Sequence, residues 1–283
     1  MAEFIDALTD PAFPLLRYGL LAGILASVAM GIVGTYVVTR RISYLAGAIA
    51  HSVLAGIGVS LYLKQVYHCT WCDPTIGALI CGEVAALIIG LVSLYAHERE
   101  DTVIGAIWAI GMAIGVMFLA KTPESSGDAL VYLFGNIDFI SKTDVVLLAV
   151  LDVLVIAIAL LWHNKLLAVC FDQEFAELRG VHAKGYYLLL LCLTALSVVL
   201  LMRIVGIILV IALLTLPAAV AGHFARRLWH MMGLAVLFCL VFVLTGFVVS
   251  YPNGLPTGPT IIVVAGAVYL VVVAGKSWLG NKR

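Results

Sequence analysis

The chain has 283 residues, 64% of them hydrophobic and 11% charged, with no formal net charge and a mean hydropathy of +1.15. That composition excludes a water-soluble globular domain, in which about a quarter of the residues are charged. The balanced charge points to no particular partner, and a nucleic-acid partner is not expected.

In chain order, apolar runs that match a hydrocarbon core about 30 Å thick cover 15–39, 44–63, 75–96, 103–120, 144–162, 185–202, 204–224, 231–251 and 260–275. The last run is short and Arg203 barely separates two others, so these runs give eight or nine spans. Backbone in lipid must satisfy its own hydrogen bonds, and the expected fold is therefore all-α. It is a polytopic integral membrane protein, with residues 1–283 forming one transmembrane domain. Met1 to Pro14 lack a basic n-region and carry Glu3, Asp6 and Asp10, so no cleavable signal is expected. Gly19 with Gly23, and Gly111 with Gly115, have the small-xxx-small spacing that lets helices approach closely.

Ionisable side chains inside spans are costly and are candidates for function. His51 lies in the second run, Glu83 in the third and Asp152 in the fifth. A neutral imidazole suits zinc and similar divalent ions, with carboxylates as oxygen partners. The plainer alternative is that His51 bonds a carbonyl while Glu83 and Asp152 serve packing. Between runs two and three stands His68-Cys-Thr-Trp-Cys72-Asp73. Cys69 and Cys72 could close a small disulfide ring in an oxidising compartment. Kept reduced, they could join His68 and Asp73 around a soft metal. The connection 121–143 is long, with a half-buried segment expected around Leu130 to Phe134.

Between Phe171 and Val181 a polar island interrupts the apolar chain. Asp172 can cap a short helix, Glu174 falls in its first turn and Gly180 can stop it. Phe171, Phe175 and Leu178 recur at i, i+4 and i+7 as an apolar stripe, with Glu177 and Arg179 beside it. Such a helix suits docking to a soluble partner, and an ordinary loop helix is the alternative. With the N-terminus outside, eleven of the sixteen basic residues fall on the inner side, as the positive-inside rule asks. Residues 163–184, including the island, are then cytoplasmic and the C-terminus is inside.

Enzyme signatures are missing. There is no Gly-x-Ser-x-Gly elbow and no phosphate loop, and His97-Glu-Arg-Glu-Asp101 lacks the second histidine of a zinc protease helix. What remains is a channel, a secondary carrier built on Glu83 and Asp152, or the membrane half of a pump with a separate motor.

Five segments together resemble the permease subunit of bacterial ABC importers for zinc, manganese or iron. Arg40-Arg41-Ile-Ser-Tyr-Leu-Ala-Gly-Ala-Ile-Ala-His51 is similar to the family's stretch ending in Gly-Asp-Ala-Leu-Ser-His. Glu100-Asp-Thr-Val-Ile-Gly105 and Leu130-Val-Tyr-Leu-Phe-Gly135 resemble two further elements. Phe171-Asp-Gln-Glu-Phe-Ala-Glu-Leu-Arg-Gly180 looks like the family's coupling helix, about 171–181. The stretch Arg203 to Ala219 and Ser250-Tyr-Pro-Asn-Gly-Leu-Pro-Thr-Gly258 resemble its late helices. The resemblance implies a type II importer permease in the bacterial inner membrane, with no permanently bound cofactor and a divalent metal as cargo. It also implies a second permease protomer, a cytoplasmic ATPase dimer docked on the coupling helices, and an extracytoplasmic metal-binding protein. His51 takes the family's metal position. The family's Asp one turn earlier is here Gly47, which leaves space where a carboxylate would stand and favours zinc over manganese.

Overall fold

The computed structural model describes residues 14–69, 71–95, 100–122 and 140–280. Among them lie ten helices and no strand: α1 Pro14–Arg40, α2 Ser43–Val66, α3 Pro74–Tyr95, α4 Glu100–Lys121, α5 Lys142–Phe171, α6 Gln173–Leu178, α7 Ala183–Val205, α8 Ile207–Gly222, α9 Leu228–Asn253 and α10 Thr257–Gly280. Eight are long and apolar enough to cross a membrane. The 16-residue α8 is shorter. The ambiguity between eight and nine spans is located at Gly206, whose φ of 84° and ψ of 158° end α7 and begin α8. That conformation is open to glycine and strained for other residues. The expected segment around Leu130 to Phe134 lies outside the described residues.

Helices α1, α5, α8, α9 and α10 pack as one group and α2, α3 and α4 as another, with α7 in contact with both. The second group is built around α2, which has 83% of its apolar window buried. Its sequence is crowded with Gly, Ala and Ser, so neighbouring backbones come close. Gly56 meets the Gly77 carbonyl of α3. A Cβ on Gly58 would stand 2.6 Å from the Gly115 carbonyl oxygen of α4, and one on Gly111 would stand 2.5 Å from the Ser52 Cα. The glycine pair read in α4 is therefore a contact seam against α2. On the other side, Gly34 of α1 meets the Leu214 carbonyl, and Gly31 meets the Val236 backbone.

Helix α5 runs to Phe171, nine residues beyond the apolar run that predicted it. His163, Asn164 and Lys165 look like the start of a loop, yet the helix runs on through them with His163 buried between partners. Its Nδ1 lies 3.2 Å from the Tyr36 hydroxyl, and its ring stacks on Trp229 at 3.9 Å. The cytoplasmic connection expected at 163–184 thus shrinks to α6 and its flanks.

The α2–α4 seam can be tested with one pair of substitutions. Gly58→Val would press on Gly115 backbone that cannot yield, and overpacking of this kind costs about 1–3 kcal/mol. The purified protein should melt several degrees lower by scanning fluorimetry. Gly105→Ala on the same α4, with nothing within 4 Å of the added methyl, should leave the melting temperature unchanged.

Candidate metal path and docking helix

Chain reversal at Arg41 (φ +63°) turns α1 into α2. His51 follows eight residues after Ser43, about 12 Å along the helix axis at 1.5 Å per residue. The imidazole is half-buried, and its Nδ1 is buried with no hydrogen-bond partner among the described residues. One face of the ring is stacked on Trp108 of α4, with centroids 4.6 Å apart and planes 12° apart. Trp108 also borders the space at Gly47. A Cβ there would meet the six-membered ring of the indole at 3.7 and 3.9 Å, an ordinary van der Waals contact, so the position has room for a Cβ with the indole as its wall.

The carboxylates go elsewhere. Glu83, half-buried on α3, pairs with the Cys192 thiol of α7. Asp152 is 6% exposed on α5, set against α1 at the Ala29 backbone, and neither of its oxygens makes a well-formed hydrogen bond. The two carboxylates thus have different surroundings, Glu83 beside α7 and Asp152 beside α1. Among the described residues, no three His, Cys, Asp or Glu side chains are grouped to hold a metal.

The same finding dissolves the outer cluster of His68, Cys69, Cys72 and Asp73 as a four-residue metal site. His68 adopts φ +52°. Asp73 Oδ1 accepts a hydrogen bond from the Thr75 N–H at 2.7 Å, at the start of α3. The cysteines do face each other, as thiols: Cys72 donates to the Cys69 sulfur at 2.9 Å. Accepting that bond holds the Cys69 thiol below its usual range, whereas donating it pushes Cys72 up.

The polar island folds as read, with tighter bounds. The Asp172 side chain accepts from the Phe175 N–H at 2.9 Å and caps α6, which spans six residues. Gly180 takes φ +77° just beyond it. Phe171 is the last residue of α5 rather than part of α6. It still joins Phe175 and Leu178 in one exposed set, at 70%, 52% and 86% exposure. Ala176 alone is buried, in a core cluster with Leu45, Val169 and Tyr187. Arg40 at the end of α1 donates to Gln173 Oε1 at 2.9 Å and lies over the Tyr187 ring. Arg179 lies over Phe175 at 5.1 Å. A groove of about 540 Å³ beside the helix is lined by Tyr95, Glu177, Gly180, His182 and Lys184.

Sequence reasoning missed Trp108, Cys192 and the Tyr36–His163–Trp229 cluster. The only local signal for Trp108 was an aromatic residue three positions before the Gly111–Gly115 pair, on the face that this pair seats against α2.

The thiol pair gives a pH-dependent prediction. A lowered thiol pKa means that the reactive thiolate appears at lower pH, so as pH rises Cys69 should ionise before Cys72. Iodoacetamide at pH 7 to 8 should therefore alkylate Cys69 ahead of Cys72, read by peptide mass spectrometry. Equal rates would contradict the hydrogen-bond direction.

Comparison with known proteins agrees with this architecture. The ABC 3 transport family matches residues 12–276. A Chlamydia trachomatis protein named "Probable metal transport system membrane protein" is 39% identical over 256 residues, covering 90% of this chain and 87% of that one. The "Manganese import system permease protein ScaB" of Streptococcus parasanguinis is 31% identical over 271 residues, covering 96% and 93%. The solved structure "PsaBC from Streptococcus pneumoniae in complex with Fab" is similar with a TM-score of 0.83 at 30% identity, over 96% of this chain and 94% of that one. The chain belongs to the ABC 3 transport family, as a polytopic permease of the metal-importer type.

Proposed function

We propose that this chain forms, with a second permease protomer, the membrane path of an ATP-driven importer for divalent transition-metal ions, and that His51 of each protomer binds the passing ion. The observation that carries the reading is His51 itself: a half-buried imidazole inside a span, with one ring nitrogen lacking any partner. A neutral imidazole held this way is a ready ligand whose alternative is an unsatisfied polar ring. One protomer offers too few ligands to trap an ion, and two imidazoles with labile oxygens would bind loosely enough for release. The missing oxygens come from water, with Glu83 a lesser contributor because it is engaged by Cys192.

Zinc is the favoured cargo, because the side chain beside His51 at position 47 is absent and nitrogen ligands suit zinc better than manganese. A manganese cargo is the second reading, favoured by the name of the Streptococcus parasanguinis relative. His51→Ala should abolish uptake in proteoliposomes containing permease, ATPase and binding protein while leaving the complex assembled. Normal uptake by that variant would refute the ligand assignment. Stimulation of ATP hydrolysis by zinc and manganese in turn decides the cargo.

ATP is hydrolysed by a separate cytoplasmic ATPase dimer, and an extracytoplasmic protein delivers the metal at the opposite face, with the N-terminus outside and the C-terminus inside. The contact surface for the ATPase is α6. Phe171, Phe175 and Leu178 are the anchors, with Asp172, Glu174, Glu177, Arg179 and Gly180 around them. Buried apolar anchors dominate such interfaces and rim charges add little. Phe175→Ala should weaken ATPase co-purification by at least about tenfold, and Glu177→Ala by less than about twofold. Equal retention by both variants would move the docking surface elsewhere.

A further inference from the structure

We propose that Trp108 is the positioning and selectivity residue of the metal path. Laid flat on His51, it fixes the imidazole plane and walls the space beside Gly47, where no side-chain oxygen stands, so each protomer offers the ion a nitrogen and no adjacent oxygen. This rests on the reading of His51 as an ion ligand.

Three features hold the indole in place. Its N–H donates to Met112 Sδ, one turn along α4, at 3.1 Å. The Tyr44 ring lies 5.6 Å away on the α2 side. The close approach of Gly111 to Ser52 and of Gly115 to Leu54 and Gly58 brings α4 against α2. The indole therefore reaches the imidazole by its face rather than its edge, with planes 12° apart. Stacking on the face leaves the ring edge clear of the indole, and a metal bonds an imidazole there, through a nitrogen lone pair in the ring plane. The stack also shuts water out from that side of the ring. The six-membered ring stands in van der Waals contact with a Cβ placed at position 47, so a longer polar side chain there would share its space with the indole, which restricts the rotamers that reach His51.

The test uses the complete complex in proteoliposomes, with zinc and manganese as probes. Trp108→Leu should raise the zinc concentration for half-maximal uptake about three- to tenfold, the range for one lost aromatic stack, with less effect on the maximal rate. Trp108→Phe, which keeps a ring, should restore most of the loss. Gly47→Asp alone should lower zinc uptake without gaining manganese uptake. Combined with Trp108→Leu, the same aspartate should raise manganese uptake about tenfold over either single variant, a coupling within the range for residues in contact.

An unchanged zinc half-saturation in Trp108→Leu would overturn the proposal, as would equal manganese uptake by Gly47→Asp with and without Trp108. Should Trp108→Leu fail to assemble, Trp108→Met, which keeps side-chain volume but has no flat ring to stack, carries the test through diethylpyrocarbonate labelling of His51, read by mass spectrometry. Faster labelling than in the wild type supports the indole as the cover, and an equal rate overturns it. Normal uptake by His51→Ala would instead refute the ligand assignment beneath the proposal, whatever Trp108 does.

Discussion

Backbone-to-backbone contact along α2 is the constraint on which the rest of this structure depends. Lipid gives apolar side chains little reason to prefer one another over the bilayer, so helices associate by close packing. Here that closeness comes from missing side chains: Gly56 against Gly77, Gly58 against Gly115, and Gly111 against Ser52. Those contacts set the separation of α2 from α3 and α4. They bury α2 more fully than any other spanning helix. A larger residue at any of these points would widen the gap that lets Trp108 lie flat on His51.

Inside this bundle polar groups are sorted into two kinds. Most are satisfied locally. Ser27, Thr35, Thr194, Ser197 and Thr215 each donate to the carbonyl four residues earlier, at 2.7 to 2.8 Å, and Tyr36 and His163 satisfy each other. These groups hold the scaffold. His51 Nδ1 and the two carboxylate oxygens of Asp152 are of the other kind, buried and without a hydrogen-bond partner among the described residues. In an interior where an unmet polar group costs about 1–3 kcal/mol, such an atom on the best-packed helix is where a ligand is expected. The scaffold also ties the two ends of the account together. Tyr36 and Arg40 of α1 bond to His163 and Gln173, on either side of the junction between α5 and the exposed α6. Two residues after Arg40 the chain turns into the helix that carries His51.

Most of the fold was legible in the sequence because apolar length and helix-end chemistry are local properties. Every predicted run became a helix, and the cap at Asp172 and the stop at Gly180 were read from residue type alone. Where the reading stopped short, a distant partner decided the outcome. The end of α5 was placed too early, at Trp162, because His163, Asn164 and Lys165 are polar. They stay helical because Tyr36, more than a hundred residues away, and Trp229 receive His163. Gly47 looked like an open place beside His51, and only the packing of α4 on α2 shows the Trp108 indole bordering it at van der Waals distance. The outer Cys pair, read as a disulfide ring or part of a metal site, stands as two facing thiols, and spacing could not show that Asp73 accepts from the Thr75 N–H instead.

The central claim is that the ion rests between two His51 rings with only labile oxygens besides. Zinc K-edge absorption of the zinc-loaded transporter complex, compared with its His51→Ala variant, tests it most directly. The account predicts a first shell of two imidazole nitrogens with light oxygen ligands, lost on removing His51. A sulfur-containing shell, or a nitrogen shell that survives His51→Ala, would contradict it.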